Sequence, residues 1–211
     1  MLYPQVLRRR AVLALAAFAM QLVAAPSQAQ LRLDITHGVR DAVPIAVVPF
    51  GGQAEGAPTE VASVVANDLR MSGRFAPLER RDIVARPTSG EEIRFEDWRL
   101  LRADFIVVGR VETDASGLAV SFELHNVRTG ALLLSERLPT TERGLRSTSH
   151  RVADLVFEKL TGLPGAFSTR IAYVAVDGRP PAQRYRLIVA DADGYNPRTV
   201  ADSTEPLMSP A

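Results

Sequence analysis

Cysteine is absent from the 211 residues. A disulfide framework, a thiolate metal site and a cysteine nucleophile are therefore all excluded. Also lacking is a clear excess of either charge. The formal net charge is +1, and three of the 25 basic residues, Arg8, Arg9 and Arg10, lie in a segment expected to be removed. That leaves 22 basic against 24 acidic residues, so there is no basic face to neutralise a phosphate backbone. Nucleotide loops are missing too. Neither G-x-G-x-x-G nor G-x-x-x-x-G-K-[ST] occurs, although Gly51 to Gly56 follows a strand and precedes a helix. No G-x-S-x-G elbow is present, and His37, His125 and His150 have no metal-ligand spacing. Catalytic, cofactor and metal residues are accordingly expected to be none, with the acidic side chains scattered among arginines as on a solvated surface.

Long apolar runs are scarce. The one candidate is Ala11 to Ala25, interrupted only by Gln21. It is shorter than the ~20 residues that a membrane-spanning helix needs. With the arginines before it and small residues at Ser27-Gln28-Ala29, it reads as a secretory signal cleaved between Ala29 and Gln30. The product is expected in the periplasm, with no cysteine for a lipid tether.

What remains has ordinary globular composition, 46% hydrophobic and 23% charged. Leu31, Leu33 and Ile35 alternate with Arg32, Asp34 and Thr36, the period of a half-buried strand. His37-Gly38 breaks the pattern. Pro44 to Phe50 reads as a buried strand, and a helix follows from about Pro58 to Ser72 with Val61, Val64, Val65 and Leu69 on one face. Pro58 suits its first turn and Gly73 its C-terminal end. Arg74 to Leu78 is a strand, and 82–92 is polar and irregular. Phe95 to Leu101 is a short helix whose Trp98 suits a core anchor. The continuous apolar run from Phe105 to Val108 is typical of a strand covered on both faces. It continues to Val111, and strands 118–124 and 131–138 follow as a meander. A helix from about Arg143 to Leu160 then carries Leu145, Val152, Leu155, Val156 and Leu160, with Thr141 as its N-cap.

At Val156 to Val174 the chain changes character. The helical pattern runs out at Gly162, Pro164 cannot continue it, and the β-branched run Arg170-Ile171-Ala172-Tyr173-Val174 starts a strand. Beyond it lie strands at 171–176, 185–190 and 197–200, with Asp193-Gly194 as a hairpin turn. Asp191 and Asp193 lack the further ligands of a calcium loop. The expected fold class is α/β, a mixed sheet packed with helices, followed by an incomplete β-propeller segment.

Several runs in this order resemble the TolB family. They are Val156 to Gly162, Gly165-Ala166-Phe167, Thr169 to Tyr173, Asp191 to Asn196 and Glu205 to Pro210. The resemblance covers the chain from about Gln30 to its last residue. It departs from the family where several repeats of a Trp-Ser-Pro-Asp-Gly type would follow. The resemblance implies a periplasmic, non-enzymatic interaction protein of the Tol-Pal envelope system. Its domains would be a signal peptide (1–29), a partner-binding segment (30–41), an α/β domain (42–164) and the first propeller strands (165–211). The implied partners are the C-terminal domain of inner-membrane TolA, outer-membrane Pal and, in some bacteria, colicins. Carried over residue by residue, the TolA-contacting positions are Gln30, Leu31, Arg32, Leu33, Asp34, Ile35, Thr36, His37, Gly38, Val39, Arg40 and Asp41. Pal contacts mainly the propeller in the family, so the resemblance implies weak or lost Pal binding here. From pattern alone, residues 30–36 read as an ordinary edge strand in preference to a partner-binding one. Two other classes compete: a secreted hydrolase or peptidase joining an α/β domain to a propeller, and a small-ligand-binding periplasmic domain using the Gly51–Gly56 loop.

Overall fold

The computed structural model describes residues 42–52, 60–115 and 117–207. The signal segment, the whole of 30–41 with its alternating pattern, Pro58 and positions 53–56 of the glycine-rich loop lie outside the described residues.

Five strands form the first sheet. They are β1 (Val43–Val47), β2 (Phe75–Pro77), β3 (Phe105–Asp114), β4 (Gly117–Asn126) and β5 (Leu132–Thr140), in the order β2-β1-β3-β4-β5. β1 runs parallel to both β2 and β3, whereas β3, β4 and β5 are an antiparallel meander. The mixed sheet expected from the pattern is therefore present. β1 stops at Val47, short of the expected Phe50. Val48 still donates to Val107 O at 3.0 Å, and pairing to β3 resumes at Gly51, which donates to Gly109 O at 2.9 Å. The first residue of the glycine-rich run thus pairs with β3: Val111 donates to Gly51 O at 2.8 Å.

Two helices, α1 (Val61–Met71) and α3 (Leu145–Thr161), cover one face of this sheet, and the short α2 (Phe95–Leu100) covers part of the other. Alternation along β1 and β3 explains both cores. Ile45, Val47 and Val107 point into one with Val61, Val65, Leu69, Phe122, Val152 and Val156. Ala46, Val48, Ile106 and Val108 point into the other with Trp98. The apolar face expected of α1 is all buried.

α3 departs from its expected start. Thr141 is not the N-cap. Its hydroxyl accepts the Gly144 amide at 3.0 Å, closing a turn ahead of the helix, and Gly144 stands at the cap position. The expected buried stripe is also incomplete. Leu145, Leu155 and Leu160 are only partly buried, while Ser149, His150 and Asp154 are fully buried. At its other end the helix closes on Gly162, whose φ of 72° is the left-handed conformation expected there.

Beyond α3, β6 (Arg170–Asp177), β7 (Arg184–Asp191) and β8 (Arg198–Ser203) form a separate three-stranded antiparallel sheet, in that order.

Candidate functional site

Arg146, His150 and Asp154 are spaced by four, so α3 presents them on one face. Each reaches out of the first sheet's helical layer to the segment that follows it. Together with Asp68 from α1 they make the junction between the α/β domain and the second sheet.

His150 is the centre. Its Nδ1 lies 2.6 Å from Asp68 Oδ2, and both side chains are 3% exposed. Its Nε2 has no hydrogen-bond partner and lies 3.9 Å from Asp193 Oδ2. Asp193 sits in the turn between β7 and β8. That turn is closed by Gly194 donating to Asp191 O at 2.8 Å and Asp191 donating to Tyr195 O at 3.0 Å. The Asp193 carboxylate accepts the Tyr195 amide at 3.0 Å on one oxygen and the Arg146 guanidinium on the other. The same guanidinium lies over the Tyr195 ring, 3.8 Å from its centroid, a cation–π contact. One hairpin tip is thus held by Arg146 of α3, with His150, one turn on, facing the same carboxylate.

Charge follows from burial and neighbours. Burial pushes the Asp68 carboxyl above its ordinary range, with the Asp193 carboxylate adding to the push and the His150 contact opposing it. For His150, burial disfavours the charged ring, but the hydrogen bond to Asp68 and the two carboxylate charges outweigh it. The result is a pKa above the ordinary 6.5. Asp68, His150 and Asp193 have ligand atoms within 4.8 Å of one another, a grouping compatible in number with a metal ion. Arg146, already bonded to Asp193, supplies the cation that two carboxylates require. The cluster is an ion-pair network on that ground.

The third member of the stripe holds the connection itself. Asp154, 1% exposed, accepts the Phe167 amide at 2.7 Å, the Ser168 amide at 3.3 Å and the Ser168 hydroxyl. Gly165 passes so close that a Cβ there would lie 2.5 Å from Asp154 Cα. The helix backbone cannot yield to it. Gly165→Ala is therefore expected to destabilise the protein by about 1–3 kcal/mol, an overpacking effect measurable by urea unfolding.

These residues correct the expectation that the acidic side chains are scattered as on a solvated surface. Asp68, Asp154, His125 and His150 are all buried. His125 is held by Glu123, with Nε2 2.7 Å from Oε2, and Glu123 also accepts the Gly90 amide. Asp193, placed at the hairpin turn as expected, has the additional contacts to α3. The recoverable signal was the polar i, i+4, i+8 stripe of α3 lying beside Val152, Ala153 and Val156. Asp68 carried one as well, standing four residues after Val64 and three after Val65 on the apolar face of α1.

Residues 31–133 match the family model of the TolB amino-terminal domain. Residues 157–211 match that of the TolB beta propeller domain. Among curated relatives, the Tol-Pal system protein TolB of Xanthomonas euvesicatoria pv. vesicatoria is 46% identical over 200 residues, 93% of this chain and 46% of its own length. That of Xylella fastidiosa is 48% identical over 90% of this chain and 44% of its own. That of Methylococcus capsulatus is 40% identical over 97% and 48%. The chain thus spans about half the length of the curated relatives it matches. Among solved structures, TolB from Acinetobacter baumannii superposes with a TM-score of 0.70 at 35% identity, covering 82% of this chain and 42% of that one.

Proposed function

The chain belongs to the TolB family of Tol-Pal system proteins, and from that premise we propose that it links inner-membrane TolA to outer-membrane Pal in the periplasm. In this reading the signal segment is removed between Ala29 and Gln30. Residues 30–41 then form the segment that engages the C-terminal domain of TolA. Residues 42–164 are the α/β body and residues 165–211 the entry to the propeller. The work served is outer-membrane constriction during division and the integrity of the envelope.

The observation that supports this most is the order of the two matched regions, a TolB amino-terminal domain followed directly by propeller sequence. The relatives carry the name of a Tol-Pal system component and not of an enzyme. Among the described residues no helix is long and apolar enough to cross a membrane.

The mechanism proposed for the contact is strand addition. Leu31, Leu33 and Ile35 supply one apolar face, and the backbone supplies hydrogen bonds to an exposed sheet edge of the partner. Titration of the TolA C-terminal domain by calorimetry tests it, comparing residues 30–211 with residues 42–211. Deletion is expected to weaken binding by at least about a hundredfold, the loss of a whole anchoring segment. Equal affinity for the two forms would place the contact on the α/β body and overturn the assignment of residues 30–41.

A further inference from the structure

Three separate elements meet at His150. α1 brings Asp68, the β7–β8 turn brings Asp193, and α3 itself brings Arg146 one turn before and Asp154 one turn after. Asp154 is engaged by Phe167 and Ser168. The histidine ring is the only group among these that can carry a hydrogen towards both carboxylates, and only its charged form has a donor on each nitrogen. With Nδ1 on Asp68, the unpartnered Nε2 faces Asp193 from 3.9 Å.

We propose that Asp68, His150 and Asp193 form a proton-operated latch that holds the β7–β8 hairpin against the α1–α3 helix pair, closed while His150 is protonated and loosened as that proton leaves. The latch concerns the joint between the two sheets and does not depend on the role assigned to residues 30–41.

The sign follows from the linkage. A histidine whose folded-state pKa is raised contributes stability that is fully present below its ordinary value of 6.5. That contribution is lost as pH rises through the raised value. Deprotonation leaves Asp68 and Asp193 facing a neutral ring, with Arg146 as the remaining cation of the cluster. The upward shift of Asp68 acts in the same sense, in a more acid window. Burying its ionised form is a cost present above its raised pKa, and acid relieves it. Loosening is therefore expected on the alkaline side.

Hydrogen exchange of the full chain tests this, with protection factors followed from about pH 6 to about pH 9. The probes are the amides of Asp191, Ala192, Gly194 and Tyr195 in the hairpin, against Val107 and Leu124 in the central sheet. Hairpin protection is expected to fall about fivefold across that range, the loss of one ion-pair contact, while the central amides hold constant. His150→Gln removes the titrating proton, so its hairpin is expected to start less protected and show no step. Asp193→Asn keeps the Asp68–His150 pair and the helix packing, so it serves if the first variant does not fold. Its hairpin too is expected to lose the step, while the His150 ring still titrates by NMR. A flat hairpin profile in the unmodified chain overturns the proposal. So does a full step surviving in Asp193→Asn.

Discussion

Trp98→Ala is expected to destabilise the protein by about 3–5 kcal/mol, the range for deleting a fully buried aromatic side chain. Trp98 is 0% exposed and is the largest side chain in the second core. It packs with Ala46 from β1, Val48 just beyond it, Ile106 and Val108 from β3, and Val127 beyond β4. Most of that list is β-branched and stiff at χ1, so it refills the space poorly. The effect extends to the helix. α2 has six residues, well below the length at which a helix stands alone in water, and Trp98 is its one buried member. Its carbonyl also accepts the Ala103 amide at 3.1 Å, which leads the chain into β3. Far-UV circular dichroism during urea unfolding is the appropriate measurement, because the substitution removes the only tryptophan and with it the fluorescence signal. Trp98→Phe, which keeps an aromatic ring, is expected to lose much less. A loss under about 1 kcal/mol for the alanine variant would mean that the site collapses around the gap and that Trp98 does not anchor α2.

Asp154→Ala is expected to cost about 2–4 kcal/mol, because it strands three donors at once in a partly buried place. The Phe167 amide, the Ser168 amide and the Ser168 hydroxyl all lose their acceptor. The consequence is local as well as global. Phe167 stacks edge-on against Phe157 of α3 at 5.6 Å between centroids, and Phe157 in turn meets Phe75 of β2 at 6.1 Å. Freeing the 167–168 backbone therefore loosens an aromatic chain that ties the start of β6 to the first sheet. Asp154→Asn retains one oxygen for Phe167 but turns an amide group towards Ser168, so an intermediate loss is expected. Urea unfolding gives the magnitude, and exchange of the Phe167 and Ser168 amides gives the location. Unchanged exchange at both amides in Asp154→Ala would show that solvent replaces the carboxylate without cost.

The elements whose pattern is local were legible in the chain. The apolar spacing of α1, the continuous run in β3, the alternation in β4 and the glycine closing α3 each report on residues within a turn or two of one another. Strand and helix ends were less legible. Thr141 has the right chemistry for a cap, and the turn it closes before Gly144 displaced it from the helix proper. The end of β1 at Val47 depends on its pairing with β3, which the sequence does not reveal.

The chain alone determined the α/β class, the meander, the change of structure between Gly162 and Arg170 and, through its ordered motifs, the family. Tertiary structure alone decided the junction. Asp68 and His150 stand 82 positions apart, and no periodicity relates them to each other or to Asp193. A carboxylate on an apolar stripe marks a buried charge, but only the facing helix shows which partner it has. Burial of a charge is possible only when the opposite charge is brought to it, and that pairing is a property of the folded arrangement.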